Sequence, residues 1–132
     1  MSQDRYERGL EKIKEIDEEG DDRLTRSLEN LKEAAPDLAR CAIEFIFGDI
    51  FSRPGLDLKS REIVAVAALT AVGSAELPLK SHINGALNVG WSRQEITECI
   101  LQTAAFAGFP KAVNGMFAAK EVFQARDNKG HK

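Results

Sequence analysis

The chain has 132 residues, 43% of them apolar and 30% charged, with a formal net charge of −3. That is one domain with enough apolar side chains for a core, and its slight acidity argues against nucleic acid as a partner. No apolar run approaches the ~18 residues of a membrane span, the charged N-terminus does not read as a signal or transit peptide, and two distant cysteines suit a reducing, cytoplasmic setting.

Segments of any length carry apolar residues at helical period and none alternates like a half-buried strand, which predicts an all-α fold of about seven helices. The first, about Asp4 to Glu19, is expected to turn Tyr6, Leu10, Ile13 and Ile16 inward and to stop near Gly20. Asp21 or Asp22 is placed to cap the second, whose face is Leu24, Leu28 and Leu31. Pro36 suits the first turn of a third helix through Leu38, Ile43, Phe45, Ile46 and Ile50. The segment SRPGLD reads as a turn, with Pro54 fixing φ and Gly55 tolerating positive φ.

The fourth helix, Leu58 to about Val72, is apolar on nearly all sides from Ile63 to Leu69, so it is enclosed by other helices or by a second subunit. Residues 73–78 break the chain, and a fifth helix runs from Leu79 to Val89 with Gly90 as its stop. Ser92 and Glu95 match a capping box that opens a sixth helix carrying Ile96, Ile100, Leu101 and Ala104. Pro110 opens the last helix, which gives way to a polar tail at residues 126–132. Small residues crowd the C-terminal third from Ala104 to Ala119, and the apolar surface of short helices argues for self-association.

Few side chains qualify for chemistry. His82 is the only histidine outside the last two residues, and an imidazole titrates where a proton donor or acceptor is useful. Its blander alternative is a buried histidine with one backbone partner. Glu62 either faces solvent near a helix N-terminus or faces inward for acid–base work. Glu44, among Ile43, Phe45, Ile46 and Phe47, is either that helix's wet position or a pocket-lining acid. Arg53 and Arg61 could pair with a carboxylate substrate, although arginines beside a turn are commonly surface residues. One histidine cannot anchor a zinc site, so no metal is expected. Cys41 and Cys99 read as core thiols, and Trp91 and Phe109 as packing or interface anchors. Ser60, Ser74 and Ser81 lack a nucleophile elbow, and there is no phosphate-binding glycine loop.

Three stretches, GDIFSRPGLDLKSREIVAVAALTAVG, LKSHINGALNVGWSRQEITECILQTAAFAGFPKAVNG and AAKEVF, extended upstream by PDLARCAIEF, resemble the carboxymuconolactone decarboxylase family, whose wider fold is shared with alkyl hydroperoxidase D. The likeness implies one domain over 1–132, with a family core at 36–125 preceded by N-terminal helices 1–35. It further implies an all-α subunit in a ring-like homo-oligomer, a trimer or hexamer, with no cofactor. The hydroperoxidase branch relays protons and electrons through a glutamate, a C-x-x-C pair and a histidine. Glu62 and His82 match its first and last members. The cysteines should fall at Ala75 and Pro78, or at Ser74 and Leu77 counting forward from Glu62, and no thiol stands at any of them. The decarboxylase branch also lacks the pair.

The resemblance therefore implies a cofactor-free decarboxylase of a small carboxylated lactone such as 4-carboxymuconolactone. In that reading His82 is oxyanion donor or acid, Glu62 its proton partner, and Arg53, less surely Arg61, the substrate clamp. Two alternatives stand beside it: peroxide reduction through Cys41 or Cys99, and a non-catalytic oligomer that binds a small acid near Arg53 and His82.

Overall fold

In the computed structural model, which describes residues 4–131, the chain is all-α. The helices are α1 (Arg5–Ile16), α2 (Arg23–Ala34), α3 (Pro36–Ala42), α4 (Leu58–Val72), α5 (Glu76–Asn88), α6 (Arg93–Ala107) and α7 (Phe109–Asn128). A π-helical segment, Ile43–Ile50, continues α3 without a break. Among the described residues no helix is long and apolar enough to cross a membrane.

Local chemistry sets most boundaries. Asp57 caps α4 by accepting the Ser60 N–H at 2.8 Å, and Gly73, in left-handed conformation at φ 84°, ends it. The capping box at α6 is complete: Ser92 Oγ accepts from Glu95 N at 3.0 Å, and Glu95 Oε1 accepts from Ser92 N at 2.9 Å. Helix α5 begins at Glu76, three residues before the expected Leu79, because Pro78 falls in its first turn, where a missing N–H costs nothing. The expected caps of α2 are displaced. Asp22 makes no side-chain cap bond, and Asp17, at the end of α1, accepts the Thr25 N–H at 2.8 Å instead.

The third helix departs furthest from expectation. Of its expected face only Ile43 is buried, while Leu38, Phe45, Ile46 and Ile50 are exposed. The switch to π geometry changes the angular step per residue and puts Phe47 and Gly48 inside. Backbone packs against backbone there: a Cβ on Gly9 would lie 2.2 Å from the Ile43 carbonyl oxygen, and one on Gly48 2.3 Å from that of Arg5. Gly9 thus replaces Leu10, which is exposed, on the inward stripe of α1. Gly55 has no positive φ, so the 51–57 turn does not use its special freedom.

Two apolar clusters result. Val66, Ile83, Ile96, Ile100 and Val122 join α4, α5, α6 and α7. Ile13, Ile16, Leu24, Ile43 and Phe47 join α1, α2 and the π-helical segment, with Phe51 and Leu58 packed on their edge. The tail expected to be merely polar is partly structural. Arg126 is buried and donates to Asn84 Oδ1 at 2.8 Å and Asn88 Oδ1 at 3.0 Å, beside buried Asp21, which His131 also contacts. Burial lowers the Arg126 pKa and the Asp21 carboxylate opposes that shift.

Candidate active site

Glu62 and His82 meet at the seam between the two clusters. Glu62 lies one turn into α4, on the stripe Glu62, Val66 and Thr70 that alone is buried along that helix. His82 sits in the middle of α5, whose residues from Ser81 to Ala86 are all buried. The two helices pack side by side and bring His82 Nδ1 to 3.0 Å from Glu62 Oε1 and 3.2 Å from Oε2. Glu62 is 0% exposed and His82 7%, so the bond forms away from water, where electrostatic interactions are strong.

The π-helical segment supplies the walls. The Phe47 ring stacks on the imidazole, centroids 6.1 Å apart and planes inclined by 15°, and Phe51 tilts against it at 5.9 Å. With Nδ1 turned to the carboxylate, the second nitrogen, Nε2, makes no hydrogen bond among the described residues. The ring is therefore oriented through Nδ1, while Nε2 is not committed to a hydrogen bond among the described residues. That arrangement suits proton donation, proton acceptance or hydrogen bonding to a developing oxyanion. Neither Phe47 nor Phe51 is among the site residues expected from the sequence. The signal that could have found them is the pair of aromatic residues four apart, just before the turn that carries Arg53.

The other expected site residues fare differently. Arg53 is exposed, two residues beyond Phe51, and its side chain makes no hydrogen bond among the described residues. Arg61 is committed to the turn: Nε donates to the Leu56 carbonyl and Nη2 to the Arg53 carbonyl, each at 3.0 Å. Ser52 Oγ donates to the Phe47 carbonyl at 2.7 Å, tying the same turn to the π-helical segment. Arg61 thus braces the loop that carries Arg53. Glu44 is not brought to the pair. It lines a separate groove of about 430 Å³ with Tyr6, Lys32 and Arg40, because the π-helical register faces it toward α1 and α2.

The thiols lie elsewhere. Cys41 is exposed on α3, and Cys99 is half-buried on α6 with its Sγ 3.8 Å from the Ile63 carbonyl and its pKa pushed up by burial. A raised pKa suppresses the reactive thiolate. Among the described residues no group of three or more His, Cys, Asp or Glu side chains could hold a metal ion.

The all-α fold agrees with what comparison with known proteins finds. The model of the carboxymuconolactone decarboxylase family matches residues 36–121, and the chain belongs to that family. Over 120 residues it is 36% identical to a 4-carboxymuconolactone decarboxylase of Acinetobacter baylyi, covering 91% of this chain and 87% of the relative. It is 33% identical to an uncharacterized 15.0 kDa protein from the nqo9–nqo10 intergenic region of Paracoccus denitrificans, over 77% and 75% of the two chains. A nitrosuccinic acid decarboxylase of Metarhizium robertsii is 31% identical over 66% of this chain and 60% of its own length. By these likenesses the chain is an enzyme of the carboxy-lyase class.

Proposed function

We propose that the protein decarboxylates a small carboxylated lactone of the 4-carboxymuconolactone type, giving an enol-lactone and CO2. The observation that carries this reading is the buried Glu62–His82 hydrogen bond, which fixes the imidazole beside Phe47 and Phe51 and leaves Nε2 without a hydrogen-bond partner among the described residues. Decarboxylation breaks the bond between the ring carbon and the carboxylate. The electron pair passes through the conjugated ring onto the lactone carbonyl oxygen, forming an oxyfuran-like dienolate. The His82 imidazolium then gives a proton to ring carbon, which restores the carbonyl, and His82 regains a proton from solvent as product leaves. Because the ring itself accepts the electrons, the reaction needs no cofactor.

The residues divide the work accordingly. With both ring nitrogens protonated, Nδ1–H held by the Glu62 carboxylate, His82 donates Nε2–H to the carbonyl oxygen as its charge grows, and a positioned donor of this kind contributes ~100-fold or more in rate. Glu62 holds the imidazole in its donor orientation from the far side. Arg53 pairs with the carboxylate that is not lost, and Arg61 and Ser52 keep its loop in place. The phenyl rings exclude water from the reacting edge, which strengthens each of these interactions.

A homo-oligomer, trimer or hexamer, completes the proposal. Phe106, Leu101 and Val64 are 89%, 60% and 55% exposed along α6 and α4, a surface that a second copy would cover. The deciding experiment is incubation with 4-carboxymuconolactone while CO2 and the enol-lactone are followed. Turnover that disappears in His82→Ala at unchanged helical content supports the mechanism. Unchanged turnover in that variant removes His82 from it.

A further inference from the structure

The geometry points to Gly85 as a positioning residue for the Glu62–His82 pair, a role that rests on the carboxy-lyase reading but is measurable without it. Gly85 stands one turn beyond His82 on the same face of α5, in the middle of a helix, where glycine is an unfavourable choice. Its φ is not positive, so the backbone does not require it. Space does. A Cβ at this position would lie 2.6 Å from Glu62 Oε1 and 2.7 Å from Ile16 Cγ2.

The first of those atoms is the oxygen 3.0 Å from His82 Nδ1. Gly85 thus forms a notch in α5 that seats the carboxylate, and Ile16 closes its side. Ile16 is 0% exposed, and its carbonyl accepts from Asn88 Nδ2 at 3.1 Å, which ties the end of α1 to α5. The wall cannot easily retreat, whereas the carboxylate is the free end of a flexible side chain. A methyl group at position 85 therefore displaces the Glu62 carboxylate and loosens its grip on Nδ1. Ile16 lies outside residues 36–121, so a helix beyond the family match completes the seat.

The test is Gly85→Ala, read by activity and by NMR of protein labelled with 15N-histidine. The chain has two histidines, so His131→Ala assigns the His82 signals. The expected result is a folded protein in which the hydrogen-bonded Nδ1–H resonance of His82 moves upfield or is lost. Its kcat on 4-carboxymuconolactone falls ~100-fold, the cost of a misplacement near 1 Å, while KM stays within ~2-fold. Added to Glu62→Gln, the same change lowers kcat by no more than ~2-fold further, because both act through one contact. Should Gly85→Ala fold poorly, Gly85→Ala/Ile16→Ala removes one of the two clashes and retains the one with Glu62. A wild-type His82 resonance in either folded variant, or additive losses in the double variant with Glu62→Gln, overturns the role. If the wild type decarboxylates no lactone, the carboxy-lyase reading fails and the NMR result alone decides the fate of Gly85.

Discussion

Glu62→Gln tests the centre of the proposed mechanism with the least change of shape. In the structure both carboxylate oxygens lie near His82 Nδ1, at 3.0 and 3.2 Å, and the side chain is wholly buried. Glutamine keeps one acceptor oxygen and the volume but loses the charge. A hydrogen bond to a charged group contributes about 1.5–3 kcal/mol. If that stabilisation is used fully as Nε2 meets the growing oxyanion, its loss lowers kcat ~10- to ~150-fold, at 1.36 kcal/mol per factor of ten. KM should stay within ~2-fold, because Glu62 does not touch substrate, the pattern of an interaction made only in the transition state. Initial rates of enol-lactone formation, with circular dichroism to equalise folded content, give the answer. A kcat within ~2-fold of wild type would refute the claim that the carboxylate tunes the imidazole.

Four further outcomes are expected. Replacing Cys41 and Cys99 by serine should leave lyase turnover within ~2-fold, since neither thiol is among the groups contacting the pair. In wild type, mass spectrometry after brief iodoacetamide treatment at pH 8 should find exposed Cys41 alkylated before Cys99, whose thiol pKa is raised by burial; the reverse order would contradict the structure. Burial also raises the Asp17 carboxyl pKa, against the Thr25 hydrogen bonds that lower it. The unfolded chain therefore ionises first, and stability drops as pH rises from the ordinary carboxylate range through the folded pKa, then levels. Asp17→Asn removes that loss, so its Tm advantage over wild type should be larger at pH 7 than at pH 4, and a constant difference would count against it. Arg126→Met leaves Asp21 buried without its guanidinium and should cost about 3 kcal/mol. Thermal unfolding should then shift down by ~10 °C, and an unchanged Tm would show that the buried network contributes nothing net.

Much of the helical frame was readable because its signals are local. Ser92 and Glu95 form the capping box that their spacing indicates, and Gly73 stops α4. The errors come where a distant partner decides. Asp17 takes over a cap that Asp22 was placed to supply, Leu10 yields its inward position to Gly9, and Pro78 sits inside a helix it was expected to precede. At the site, Glu62 and His82 could be picked out, since an acid in an apolar helix and a lone interior imidazole are uncommon. Glu44 looked equally promising from its apolar neighbours, but the π-helical register turns it into another groove. That Arg61 braces the loop of Arg53 through two backbone carbonyls was not legible in the sequence.

The sequence by itself determined the all-α class, most of the helical segments and the absence of thiols between Glu62 and His82. These follow from periodicity, composition and residue identity, which need no knowledge of neighbours far along the chain. Only the tertiary structure decided that Phe47 and Phe51 flank His82 and that the backbones of α1 and the π-helical segment touch through Gly9 and Gly48. It also decided that the carboxylate lies against Gly85 and Ile16. Each of those depends on where two helices cross, and a crossing is fixed by the joint packing of many side chains rather than by any one stretch of sequence.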